Sequence, residues 1–316
     1  MEYIIRHITK FRYSSPVAES VMEVRMQPRR DGAQHCLSFE LATSPRARVT
    51  FSTDYLGNVV HHFDVPKRHS ELKITTQSHV SVGSPPTLPV SLPLASWGEL
   101  DALVADGDYG DMLVPSTFAR PTALLRELAR DLRVDRRDDP LTLVRQLNTA
   151  LHRTLAYESQ STRADSPIDV ALELRKGVCQ DFAHIMIALL RLVDVPARYV
   201  SGYLFKGDDG RMTGADATHA WVETLLPGLG WVGFDPTNDV VVADKHIRVA
   251  VGRDYSDVPP TRGVFKGRAD TELGVAVRVL PADGRTTLTL TDEDLIVMKP
   301  LSPPVQAGEQ PEQQQQ

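Results

Sequence analysis

The chain has 316 residues, 41% of them hydrophobic, and a net charge of -6 built from dispersed charges of both signs. That length exceeds a single small core and that apolar content is enough to fold, so two packed units are expected. Without a basic face, nucleic acid is excluded as the expected partner.

The first segment, MEYIIRHITKFRY (1–13), alternates and is interrupted by Arg6, His7 and Lys10, unlike the unbroken apolar region of a signal peptide. Alternation continues to about residue 82. It sets Leu37, Phe39 and Leu41 against Cys36, Ser38 and Glu40, and later lines up Leu72, Ile74, Thr76, Ser78 and Val80. Turn signals at Gln27 and Pro28, Asp31 and Gly32, and Leu56, Gly57 and Asn58 separate short strands, the pattern of an antiparallel β-sandwich. The adjacent His61 and His62 point to opposite strand faces, a poor arrangement for one metal. Residues 82–93 carry Pro85, Pro86, Pro89 and Pro93 and read as an extended linker. A β-rich domain over 1–90 and a second domain over 91–300 follow, with the core of the latter at about 120–260.

Beyond the linker the period turns helical. Leu124, Leu125, Leu128 and Leu132 share one helix face, and Leu143, Val144, Leu147, Leu151 and Leu155 share another, on a helix that starts after Pro140. After Gly177, Phe182, Ile185, Met186, Leu189 and Leu190 form the stripe of a third helix, which ends before Pro196. The apolar run at 185–195 is broken by Arg191 and Asp194 and is too short to span a bilayer, so a soluble cytoplasmic protein is expected, with no membrane partner. Strands return at 197–205, 218–226 and 230–235, the last two forming a hairpin around Pro227, Gly228 and Leu229. This second domain is therefore α+β. C-terminal strands are expected over about 274–291, with 286–290 as the partner of Val275, Val277 and Val279. The Gln-rich end, 301–316, is compositionally disordered.

Two cysteines, Cys36 and Cys179, make no disulfide framework and no four-ligand zinc pattern, so no metal is expected. Cys179 falls in the first turn of the third helix. Free N–H groups and the positive end of the helix dipole favour a thiolate there, although a small buried core residue is the competing reading. His219, Trp221 and Glu223 share one strand face, and Asp235 ends the next strand. The hairpin therefore puts His219 and Asp235 opposite or diagonal to each other, within hydrogen-bond reach. A thiol, a base and an acid that orients the base are the parts that covalent acyl transfer requires.

GVCQDFAH (177–184), THAWVE (218–223) and GWVGFDPTND (230–239) resemble the three core blocks of the transglutaminase-like superfamily. The N-terminal strands, ARYVSGYL (197–204) and DYSDVPPTRGVFKG (254–267), extend the resemblance to its bacterial branch over about residues 1–295. The resemblance implies a papain-like arrangement of helix and sheet, with Cys179 as nucleophile, His219 as base and Asp235 as the acid. It implies no cofactor, since calcium belongs to the animal branch and no acidic loop has EF-hand spacing. A protein or peptide substrate is implied, attacked at a carboxamide or peptide carbonyl through a thioester, with water or an amine as acceptor.

Around this centre Gln180, Tyr199 and Trp221 are candidate substrate contacts, and core packing is the alternative for Tyr199, Tyr203 and Trp221. His184, five residues after Cys179, lies about 140° round the helix and is not counted as catalytic. Glu173 cannot serve as an oxyanion donor, so the second donor is left open. A binding module with a retained triad is the rival class, and an acyl-donor role for the glutamine tail is a further alternative.

Overall fold

A computed structural model describes residues 1–207, 218–282 and 290–298. The expected strand at 286–290 and the tail at 301–316 lie almost wholly outside the described residues, of which Leu290 alone is placed. The fold is α+β with mostly antiparallel sheets.

One five-stranded sheet runs β16-β15-β1-β6-β3, from β1 (Glu2–Val17), β3 (Gln34–Ser44), β6 (His69–Val82), β15 (Thr271–Pro281) and β16 (Ile296–Val297). A four-stranded sheet runs β14-β2-β5-β4, from β2 (Glu19–Val24), β4 (Thr50–Thr53), β5 (Val59–Val65) and β14 (Thr261–Lys266). Val17, Met22, Val24, Phe63, Val65, Leu72 and Ile74 meet between the two as a sandwich core. The inward positions of β6 follow its alternation, from Leu72 to Val80. In β3 the pairing register shifts between Cys36 and Ser38, so Cys36 turns inward with Phe39 and Leu41 while Leu37 is 49% exposed. A single-phase alternation cannot foresee such a bulge.

The strands after residue 260 differ from expectation in their partners. β15 pairs with β1 from Tyr3↔Pro281 to Tyr13↔Thr271, and β14 pairs with β2. The C-terminal strands grouped by sequence with the second domain thus complete the N-terminal sheets. Alternation identifies a strand but carries no information about which sheet edge receives it.

The middle of the chain supplies α1 (Ser96–Asp106), α2 (Ala123–Asp131), α3 (Pro140–Thr154), α4 (Ile168–Leu174) and α5 (Cys179–Arg191). Asp139 caps α3 by accepting from Leu141 N and Thr142 N, and Pro140 fills the first turn, where no N–H is needed. A parallel pair, β7 (Ala156–Tyr157) and β8 (Lys176–Gly177), leads into α5. The second five-stranded sheet runs β12-β11-β10-β9-β13, from β9 (Ala197–Leu204), β10 (Thr218–Leu226), β11 (Gly230–Asp235), β12 (Val240–Val241) and β13 (His246–Gly252). Helix α5 is buried from Asp181 to Arg191 and packs on β9 and β10.

One core spans both regions, joining Tyr3, Ile5, Val80 and Val82 to Phe205, Ala220 and the α5 residues. Across this junction His7 Nδ1 lies 2.9 Å from the Tyr203 hydroxyl, and Asn58 bonds both Val251 N and Val251 O. Among the described residues no helix is long and apolar enough to cross a membrane.

Candidate active site

The N-terminus of α5 is built by its neighbours. Val178 precedes the helix in an extended conformation, and the Asp181 carboxylate reaches back to accept from Val178 N at 2.8 Å and from Thr162 Oγ1 at 2.5 Å. Burial pushes the Asp181 carboxyl up, against the opposing effect of those two bonds. A Cβ on Gly177 would lie 2.7 Å from Asp181 Oδ2, so the glycine makes room for the cap. Cys179 follows as the first helical residue, half-buried.

His219 and Asp235 come from the hairpin of β10 and β11, closed by a turn in which Leu229 N donates to Leu226 O. Gly228 takes the positive φ of 69° that the third position of a type II turn requires, after Pro227. The register Val222↔Phe234 makes Asp235 diagonal to His219, the second of the two placements foreseen. His219 Nε2 lies 2.8 Å from Asp235 Oδ2 and 3.3 Å from Asn238 Nδ2, and Cys179 is a further hydrogen-bond partner of the imidazole. With Nε2 held by the carboxylate, Nδ1 is the nitrogen left for the thiol.

Asp235 is fully buried (0% exposed) and richly bonded. Its Oδ1 accepts from Thr237 N at 3.0 Å and Asn238 N at 3.2 Å, and its Oδ2 also accepts from Asn238 Nδ2 at 2.6 Å and His246 Nε2 at 3.1 Å. Burial works against its charge, but bonds from His219, His246 and Asn238 hold the carboxyl far below its ordinary range. For His219, burial disfavours the cation, yet its bonds to Asp235 and Cys179 prevail and push the imidazole up to about 9. The centre therefore holds a proton on His219 at neutral pH.

The candidate contacts separate on burial. Gln180 is half-buried beside the thiol and hydrogen-bonds both Tyr199 and Tyr255. Tyr199 is a buried residue: burial first, then nearby Cys179, raises its hydroxyl well above the ordinary value. Trp221 is fully buried under His219 and His246, with ring centroids 6.1 Å and 5.2 Å away, so it supports the imidazoles and offers substrate no surface. Gly202, opposite His219 in the sheet, leaves room for that indole. Tyr203 bonds His7 in the core.

His184 stacks between Phe118 and Tyr199 and accepts from Tyr255 N at 3.2 Å; burial lowers its imidazole to about 4, a neutral structural role. His61 is buried, while His62 lies 2.9 Å from Ser52 Oγ on the opposite face. Glu173 is exposed on α4.

Two members of the cluster escape the sequence reading. Asn238 stands inside the GWVGFDPTND block, where only Asp235 draws notice. His246 heads β13, whose alternating Ile247, Val249 and Val251 were the available signal. His219, Asp235 and His246 also offer metal-ligand types, with ligand atoms within 4.8 Å of one another. Each imidazole, however, directs Nε2 at the shared carboxylate oxygen, and His246 Nδ1 accepts from Ala243 N at 3.4 Å, which places its proton on Nε2. That pattern is a hydrogen-bond network rather than three lone pairs converging on a cation.

The comparisons with known proteins agree with this architecture. Residues 3–81 match the family described as "Bacterial transglutaminase-like N-terminal region", and residues 126–236 match "Transglutaminase-like superfamily". An uncharacterized Mycobacterium leprae protein is 34% identical over 275 residues, covering 86% of this chain and 96% of the relative. A Pseudomonas aeruginosa protein-glutamine gamma-glutamyltransferase is 32% identical over 121 residues, 36% of this chain and 18% of that protein. A crystal structure from Cytophaga hutchinsonii, provisionally called a cysteine protease, has the same fold, with TM-score 0.69 at 22% identity over 94% of this chain and 96% of that one. With both regions matched and a relative covered almost end to end, the chain belongs to the transglutaminase-like superfamily, in the branch with the bacterial N-terminal region.

Proposed function

We propose that this chain is a thiol enzyme that cleaves carboxamide or peptide bonds through a thioester on Cys179. One observation carries the reading: His219 is hydrogen-bonded to Cys179 on one side and to buried Asp235 on the other. In the first half-reaction the Cys179 thiolate adds to the carbonyl carbon. Backbone N–H groups of the first turn of α5 face the oxyanion, and the helix dipole favours its charge. The His219 imidazolium then gives its proton to the departing nitrogen as the C–N bond breaks, and the thioester remains. In the second, His219 removes a proton from the acceptor, which attacks the thioester and releases Cys179. Asp235 keeps the imidazole in the required tautomer and balances its positive charge.

Water is the acceptor at hand in every turnover, so hydrolysis is the leading outcome and a protein or peptide the substrate. Transfer to an amine is the second reading, favoured by the named activity of the Pseudomonas aeruginosa relative over the core. Wild type and Cys179→Ala are to be compared on glutamine peptides, isopeptides and ordinary peptides, with and without a primary amine. Ammonia release without amine incorporation supports hydrolysis, and incorporation supports transfer. Equal turnover by the two proteins removes the proposal.

A further inference from the structure

Asp235 is shared by two imidazoles, of which the acyl-transfer scheme uses one. His246 reaches the same Oδ2 from β13, at the opposite side of the sheet from β11. It is buried, lies edge-on to the Trp221 indole at 5.2 Å, and has its ring centroid 6.2 Å from that of His219. The indole thus carries both imidazoles. Its space depends on Gly202, where a Cβ would lie 2.5 Å from Trp221 Cη2 and 2.3 Å from Ile247 O.

The tautomer of His246 is fixed from the other side. Ala243 N donates to Nδ1, so the ring proton sits on Nε2, and His246 N returns a bond to Ala243 O at 3.0 Å. His246 therefore offers Asp235 its Nε2–H as donor. Among the described residues, the titratable groups recorded against its ring are Asp235 and His219; on its own strand, Arg248 is already paired with Glu223 and Asp31.

We infer that His246 is a positioning residue that acts through Asp235. It holds Oδ2 at the point where His219 Nε2 meets it, so that the Nε2 proton stays on His219 and does not pass to Asp235 while Nδ1 exchanges protons with the reacting groups. The hydrogen bonds from Asn238 and from two backbone N–H groups fix the remaining degrees of freedom of the carboxylate. A carboxylate so supplied with donors resists taking a proton, because protonation would oppose a hydroxyl to donors already in place.

This inference rests on Cys179 and His219 being the reacting pair, and its test separates the two ideas. The pH dependence of Cys179 alkylation by iodoacetamide is measured by peptide mapping in wild type, His246→Leu and His246→Gln, with buried Cys36 as internal reference. Leucine removes the donor; glutamine keeps an N–H at similar reach. In wild type, Cys179 is expected to react at pH 6 much faster than Cys36. In His246→Leu kcat should fall roughly tenfold to a hundredfold at little-changed KM, the size typical of groups that orient a working imidazole. Glutamine should restore most of the lost kcat.

A folded His246→Leu protein with the wild-type kcat overturns the inference, whatever its melting temperature. A wild type in which Cys179 reacts no faster than Cys36 overturns the acyl-transfer reading and this inference with it. Should the leucine variant fail to fold, histidine nitrogen NMR of the wild type decides: an Nε2–H tautomer for His246 is expected. An Nδ1–H tautomer there contradicts the inference.

Discussion

Asp235, itself fully buried, accepts from two imidazoles, one side-chain amide and two backbone N–H groups. Both of its oxygens are acceptors, so Asp235→Asn must turn an NH₂ toward existing donors whichever way the amide is oriented. The predicted result is a kcat lower by about 10⁴-fold, from loss of the His219 tautomer, with a stability loss of about 3 kcal/mol from a broken buried pair. Single-turnover kinetics and urea titration measure the two. At this scale Cys179, His219 and Asp235 are legible because each sits at an element boundary that the sequence marks: a helix start, a strand start and a strand end before proline. Trp221 and Tyr199 are legible as neighbours of the centre with core packing as the alternative, and their burial settles for packing, because alternation gives a face without saying what covers it.

The elements that carry the site are the ones with strong local signals. Proline and glycine at the tip set the hairpin register, and the glycine before Cys179 lets Asp181 close the helix start. Strand β13 brings the second imidazole and goes unread, because the alternation of Ile247, Val249 and Val251 marks a strand without showing that the histidine at its head meets Asp235. The bulge in β3 is invisible for a related reason: it is decided by pairing with β6, outside the local pattern. Gly202 tests the element scale. A methyl group there meets Ile247 O on β13 and the indole beneath both imidazoles, so Gly202→Ala should cost about 1–3 kcal/mol by overpacking and lower kcat as well. A urea midpoint and kcat both unchanged would mean that the three strands give way freely and that the indole position does not matter.

Across the whole molecule the two ends of the chain meet in one sheet, and a continuous core joins that sandwich to α5. The sequence reading reaches the sandwich and the α+β unit separately but misses their joining, since a strand shows its own periodicity and not its partner. Buried histidines give this single core a definite pH response. Burial lowers His7 to about 3 and His184 to about 4, so both stay neutral in the fold while the unfolded chain takes up protons below about pH 6.5. Stability from these two is complete above that pH and falls as pH drops, by about 1.4 kcal/mol per unit for each group. His219 acts in the opposite sense: raised to about 9, it contributes fully below about pH 6.5 and loses its contribution as pH rises through about 9. Urea midpoints from pH 4 to 10 should therefore peak near neutrality, and His219→Gln should flatten the alkaline arm alone. An alkaline arm unchanged in that variant would place the raised proton affinity elsewhere.

Wild-type protein is mixed with a glutamine-containing peptide, quenched in acid within the first turnover, and analysed by intact mass and peptide mapping. The account predicts a species heavier by the peptide less ammonia, mapped to Cys179, discharged by hydroxylamine and missing in Cys179→Ala. An active wild type that accumulates no such adduct when deacylation is slowed by cold, or that carries it on another residue, would contradict the account.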